Sequence, residues 1–341
     1  MHETSYNGKQ AVFITTLVVG VIGFFLQILI TSPQPVHAKN GNNAGSAQSL
    51  PRPITIIIPF TPGGIVDIQA NVLAQVMQRN TGTRFDVVYH SGGAGSLGMR
   101  MAKEALPDGY TMIITSMGPS SLTPHRADVG YVTPRDFRGV ARISTASIAV
   151  AVPSNSQLQT FADLLDYAKE KHDSTYGTNG PGLLQHVLFS SLLHSIPGVN
   201  MQHVPFKGGA AAVIGLLLEE TDVSVQIVPE YLPYYRAGQI RLLAVTRRED
   251  ASYLDGIPTF RDMGFKPIKE TNWFGFLMPR KTPDTIVLKI QNMIKEALHD
   301  EDVKRTFDLS GISIDFLEGS KLDEEIKSEY RFFGDYLHEL N

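Results

Sequence analysis

Ile54-Thr55-Ile56-Ile57-Ile58-Pro59-Phe60-Thr61-Pro62-Gly63-Gly64-Ile65-Val66-Asp67 is the stretch that decides the fold. Its first half, Ile54 to Pro59, is a short apolar run and reads as a strand. Its second half opens a segment in which Ile65, Ile68, Val72, Leu73 and Val76 share one face at helical spacing, and which stops at Gly82, a residue suited to a helix C-cap. Strand, glycine loop and helix therefore follow one another within thirty residues. The same grammar recurs along the chain. Strand Phe85–Tyr89 leads through a glycine-rich loop to helix Leu97–Ala105, then through the turn Pro107-Asp108-Gly109 to strand Tyr110–Thr115. Strand Ile148–Pro153 precedes Thr160, a candidate N-cap, and a helix with Phe161, Leu164, Leu165 and Ala168 facing inward. Strand Thr175–Gly177 with helix Leu184–Leu193, strand Gln202–Pro205 with helix Ala210–Glu219, and strands Val223–Val228 and Arg241–Thr246 continue the pattern. It closes with a run at Trp273–Met278 and helices at Pro283–Leu298, Asp300–Leu309 and Ser320–Leu340. Such alternation predicts an α/β protein with largely parallel sheets.

The chain has 341 residues, enough for about two domains. Thirty Lys and Arg against 34 Asp and Glu give a net charge of −4, so no basic field for nucleic acid exists. The absence of cysteine excludes disulfides, thiolate metal sites and a Cys nucleophile, and suits an oxidising compartment. Near the N-terminus Ala11 to Ile30 is apolar apart from Thr15, Thr16 and Gln27, and Val36-His37-Ala38 follows a proline-broken stretch. Residues 1–38 are thus expected to form a signal peptide cleaved after Ala38, with an uncleaved membrane anchor as the alternative. Residues 39–52, rich in Asn, Gly, Ser and Ala, read as a flexible linker.

Four loops between strand and helix carry glycine: Pro62-Gly63-Gly64, Gly92-Gly93-Ala94-Gly95, Gly180-Pro181-Gly182 and Lys207-Gly208-Gly209. Glycine lets the backbone approach a ligand, and the helix that follows offers unpaired N–H groups and the positive end of its dipole. Together they suggest a shared anion cleft, although each alone also reads as a tight turn. Gly93-x-Gly95-x-x-Gly98 matches the dinucleotide fingerprint, but the following strand ends in Thr115-Ser116-Met117-Gly118 without the acidic residue that would hold a ribose. No nucleotide cofactor is expected. Motifs for zinc hydrolases, nucleophile elbows and phosphate-binding loops are missing, and His90, His186, His194 and His203 are scattered without metal-ligand spacing. Asp67 fits either a favourable charge in the first helical turn or a group that orients the loop or a bound water, and Trp273, the single tryptophan, fits packing better than ligand stacking.

Pro59-Phe60-Thr61-Pro62-Gly63-Gly64-Ile65-Val66-Asp67, Gly93-Ala94-Gly95-Ser96-Leu97-Gly98 and Pro107-Asp108-Gly109-Tyr110-Thr111 closely resemble the Bug-type receptors, the solute-binding proteins of tripartite tricarboxylate transporters. His203-Val204-Pro205-Phe206-Lys207-Gly208, Arg236-Ala237-Gly238, Leu243-Ala244-Val245-Thr246 and Trp273-Phe274-Gly275 agree with it. The resemblance implies a two-lobe periplasmic binding protein of the type II-like, Venus-flytrap kind, with the ligand cleft between lobes at 53–150 and 151–270 and with 271–341 returning to the first lobe. It implies no catalytic residue, metal or cofactor. It implies as partners a small carboxylate and the membrane subunits of a transporter, with no nucleic acid, and the receptor is expected to be a monomer. An exported receptor acting through a membrane sensor, and an exported enzyme, are the competing readings.

The same resemblance maps ligand binding onto Phe60, Gly63, Gly64, Ile65 and Asp67, onto Ala94, Gly95 and Ser96, and onto Thr178, Asn179, Gly182, Leu183 and Gln226. Three sites depart from the family's usual pattern. Ile65-Val66 stand where many members have Ser-Thr, Leu183-Leu184 where they have a hydroxyl pair, and Gln226 where they often have Asp or Asn. Aliphatic side chains in place of hydroxyls favour an acid with an apolar body over compact polycarboxylates, because a second buried charge beside them would be desolvated without a partner.

Overall fold

Alternating apolar runs and amphipathic segments fold into two sheets joined by one long strand. The computed structural model describes residues 50–248 and 252–339, so the expected signal peptide at 1–38 and most of the 39–52 linker lie outside the described residues. Strand β1 (Ile54–Ile58) runs into α1 (Ile65–Thr81), which ends on Gly82 in the left-handed conformation, its N–H bonded to the Gln78 carbonyl. Strand β2 (Phe85–Tyr89), helix α2 (Ser96–Glu104) and strand β3 (Thr111–Ser116) complete the first repeat, with β1 parallel to both neighbours.

Strand β4 (Phe137–Pro153) is the structural link. Its first part, Phe137 to Ser147, pairs with β9 (Thr271–Pro279), and Ile148 to Pro153 pairs with β7 (Val223–Ile227) and β8 (Ile240–Val245). One strand therefore belongs to both sheets. The first sheet runs β2-β1-β3-β9-β4 with β10 (Ser313–Glu318) on the far side of β4, and the second runs β4-β7-β5-β6, where β5 is Thr175–Thr178 and β6 is Gln202–Pro205. Only part of this chain was legible. Arg138, Arg142, Ser144 and Thr145 interrupt the apolar pattern of β4, so the sequence reveals only its last six residues as strand.

The expectation of largely parallel sheets needs correction. Pairs β1–β2, β1–β3, β5–β6 and β5–β7 are parallel, but β9 is antiparallel to β3 and β4, and β4 is antiparallel to β7, β8 and β10. A strand shared by two sheets, and a chain that returns to the first sheet through β9, impose these reversals. Each sheet keeps a parallel group whose carboxyl ends face the other.

Helices cover the sheets. In the second half α3 (Phe161–Glu170) starts at a reciprocal cap, in which Thr160 accepts from Asp163 N and Asp163 accepts from Thr160 N. It is followed by α4 (Leu184–His194), α5 (Gly209–Leu217) and α6 (Val228–Arg236). Helix α6 escapes a sequence reading because Pro229 and Pro233 lie within it. Helices α7 (Asp284–Leu298), α8 (Glu301–Leu309) and α9 (Gly319–Glu339) close the chain against the first sheet and one another. Trp273 is 1% exposed and its indole N–H donates to Glu329 at 2.8 Å, so it serves packing.

Candidate functional site

The carboxyl ends of the parallel strands in both sheets open on one cavity of about 630 Å³. From the first sheet come Phe60, Gly64, Ile65 and Asp67 after β1, Ala94 and Gly95 after β2, and Ser116 at the end of β3. From the second come Asn179 and Leu183 after β5, Phe206 to Ala211 after β6, and Gln226 and Glu230 on either side of the β7–α6 junction. Asn272 and Phe274 of β9 also line it. This is where open α/β sheets hold ligands, because strand ends converge there with helix N-termini.

Of the residues the sequence points to, Phe60, Gly64, Ile65, Asp67, Ala94, Gly95, Asn179, Leu183 and Gln226 line the cavity. Gly63, Ser96, Thr178 and Gly182 do not: Gly63 is exposed, and the other three are buried. Gly63 donates its N–H to Asp67, Ser96 starts α2 with little exposure, and Thr178 and Gly182 belong to the support of the second-sheet loop. Val66 lines the cavity too, whereas Leu184 is buried in the main core.

On the first-sheet side a single carboxyl group organises the loop. Asp67 accepts from Gly63 N at 2.8 Å, from the Tyr89 hydroxyl at 2.7 Å and from the Asn71 carboxamide, tying the turn before α1 to the end of β2. Neither Tyr89 nor Asn71 carries a motif, and only the fold brings them to Asp67. The neighbouring loop is fixed by close approach. Gly95 has φ +90°, and a Cβ there would lie 2.7 Å from Pro119, so glycine is required twice over.

On the second-sheet side the support is aromatic. His186 and His203, scattered in sequence, stack with centroids 3.8 Å apart and planes 10° from parallel. His186 Nδ1 accepts from Gly182 N at 2.9 Å, and His203 Nε2 meets Thr178 Oγ1 at 2.8 Å, so the pair holds both ends of the loop from Thr178 to Gly182. Burial first, then His203 and Arg126, push the His186 pKa down to about 4, and burial and Arg126 lower that of His203. Acceptance by His186 Nδ1 requires the neutral ring, in keeping with that shift. Leu183 then reaches across the cavity, where a Cβ on Gly118 would come within 2.8 Å of its Cδ2.

The cavity contains polar groups with unused capacity. Gln226 is fully buried with both carboxamide atoms unpartnered, and Asn179 Oδ1 and Asn272 Oδ1 are buried without a partner. Glu230, which the sequence does not single out, stands in the first turn of α6 and lines the cavity. Its pKa is raised by burial, and the Ile65 N–H opposes the rise. Ala94, at the cavity wall, has a left-handed backbone with φ 53°, a conformation that costs a non-glycine residue energy and is found at binding sites.

The family model for the tripartite tricarboxylate transporter family receptor matches residues 70–323. The chain belongs to that family. The receptor is 26% identical to protein BugT of Bordetella pertussis over 273 residues, covering 78% of this chain and 82% of that protein. Among solved structures, one described as a periplasmic transporter is 28% identical with a TM-score of 0.79, covering 85% of this chain and 98% of that one. An R. palustris protein solved with adipate is 25% identical with a TM-score of 0.77, covering 84% of this chain and 96% of that one. The two-lobe binding-protein fold of the receptor, with its cleft between the sheets, agrees with these structures.

Proposed function

We propose that the chain is a periplasmic receptor that captures a small organic carboxylate in the cavity between the two sheets and hands it to the membrane subunits of a tripartite transporter. The observation that carries the reading is the convergence of glycine loops and helix N-termini from both sheets on one cavity without a cationic cluster, an arrangement that binds a carboxylate through backbone N–H groups. The adipate found in the R. palustris relative supports the ligand class. Ile65, Val66 and Leu183 add apolar wall, which favours an acid with an aliphatic or aromatic body. Because the two sheets meet through β4, the ligand draws the carboxyl ends of both toward it, in a hinge motion that biases an open and closed equilibrium.

Residues 1–38 serve export in this reading, and the mature chain begins at Lys39. Intact-mass analysis of the exported protein checks that step, and a product that keeps Met1 in the membrane fraction argues for an anchor. A thermal-shift screen of carboxylic acids tests the function itself. An acid at 100 times its dissociation constant stabilises the fold by about 2.7 kcal/mol, and the expected hit has an apolar body and is recovered unchanged. A preference for citrate over every apolar acid would overturn the ligand class, and turnover of the hit would overturn the receptor reading.

A further inference from the structure

Glu230 is placed as a ligand carboxylate would be. It lies between loops of the two sheets. Its Oε1 is 4.0 Å from the position of a Cβ on Gly64, at the start of α1, while its Cγ and Cδ would lie 2.9 Å from a Cβ on Gly209, at the start of α5. The Ile65 N–H lies near enough to oppose the rise in its pKa that burial causes, and Glu230 forms no salt bridge among the described residues. A side chain on Gly209 would collide with Glu230, so the glycine of the Lys207-Gly208-Gly209 loop makes room for this carboxyl group. At the turn before α1 the Gly63 N–H is already taken by Asp67, and the Glu230 carboxyl group stands beside Gly64.

A second observation bears on what faces Glu230. The buried side-chain atoms around the cavity that lack a partner, among the described residues, are Asn179 Oδ1, Gln226 Oε1 and Nε2, and Asn272 Oδ1. Each of these three side chains is a carboxamide that can accept as well as donate, and Gln226 is fully buried. Such carboxamides adapt to either group of a ligand, accepting from its N–H and donating to its carboxylate. A cavity with a built-in carboxyl group and open carboxamides suits a donor at that end, and a second carboxylate there would meet a like charge.

We propose that Glu230 determines which carboxylate the cleft accepts: its carboxyl group fills the anion position at the N-terminus of α1, and the bound acid presents a protonated nitrogen to Glu230 and the neighbouring acceptors, with its own carboxylate held by the remaining loops. The inference rests on the carboxylate reading above and narrows it to amino-substituted monocarboxylic acids. Exchange of Glu230 for a small polar residue frees the α1 position, so the same change that weakens the amino acid admits a dicarboxylate.

Calorimetric titration of matched chains tests this, with 4-aminobutanoate through 6-aminohexanoate set against succinate through adipate, on the wild type, Glu230→Ser and Glu230→Gln. In the wild type the best amino acid binds at least 30-fold tighter than the best dicarboxylate. Glu230→Ser reverses the order, weakening the amino acid and strengthening the dicarboxylate tenfold or more. Glu230→Gln, which keeps the shape and so controls for a folding defect in the serine variant, reduces the preference at least tenfold. A wild type that prefers the dicarboxylate, or a ratio unchanged in both variants, would overturn the role of Glu230 while leaving the carboxylate reading standing. Binding of no acid in either series to any of the three proteins would overturn the narrowing to amino-substituted acids, and a thermal-shift screen without any carboxylate hit would overturn the carboxylate reading as well.

Discussion

The two sides of the cleft are held by different chemistry. On the first-sheet side the loop before α1 is gathered by the Asp67 carboxyl group, which collects a backbone N–H, a phenol and a carboxamide. On the second-sheet side the loop after β5 rests on a stacked imidazole pair, in which His186 accepts from Gly182 and His203 meets Thr178. The lesson is that one function, presenting amides and an aliphatic residue to the cavity, is met by two supports with different sensitivities. The loop on imidazoles depends on the neutral form of His186, and the loop on Asp67 depends on partners drawn from α1 and β2.

The largest expected effect tests whether both sides contribute to binding. Ile65 and Leu183 are 7% and 5% exposed and lie on opposite walls. If a ligand against them removes about 100 Å² of apolar surface from water on both partners together, burial contributes about 2.5 kcal/mol, or nearly two orders of magnitude in affinity. Ile65→Ser with Leu183→Ser should therefore weaken an apolar acid up to about 100-fold in calorimetry, with each single change giving about tenfold. A single variant that accounts for the whole loss would place the apolar contact on one wall only.

Gly95→Ala comes next. The left-handed φ and the approach to Pro119 together should destabilise the protein by about 2 kcal/mol in urea unfolding. Asp67→Ala follows at about 1 kcal/mol, since its donors are partly open to water, and it should weaken ligand binding by more than its effect on stability suggests. Equal losses would mean that Asp67 acts on the fold alone.

The remaining prediction is read as a pH dependence. His186 titrates near 4 in the folded protein against about 6.5 when unfolded, so the unfolded chain binds the extra proton first. Its contribution to stability is complete above pH 6.5 and is lost as pH falls from there toward 4. Melting temperatures followed across that range should decline in the wild type and decline less in His186→Asn, which keeps an acceptor for Gly182 without a titrating ring. Identical slopes would remove His186 from the account of the second-sheet loop.

Much of the fold was legible because strand, glycine loop and helix repeat with clear period: α1 ends on Gly82 and α3 starts on Thr160 as the residues suggest. What stayed hidden was long-range. β4 has charged and hydroxyl residues where it crosses the first sheet, α6 contains two prolines, and β10 is an edge strand joined to β4 through an irregular register. The glycine loops of the site were legible as turns with a purpose. Tyr89, Asn71 and Glu230 were not, because their relevance comes from distances closed by the fold: Glu230 stands beside Gly64, 166 positions earlier in the chain.

The central claim is that the cavity between the sheets holds a carboxylate by loops from both. The most direct measurement is a crystal structure of the protein with the tightest-binding acid from the thermal-shift screen. One carboxylate should lie within hydrogen-bonding distance of backbone N–H groups of the glycine loops, with the body of the acid against Ile65 and Leu183. An acid bound outside this cavity, or held by one sheet alone, would contradict that claim.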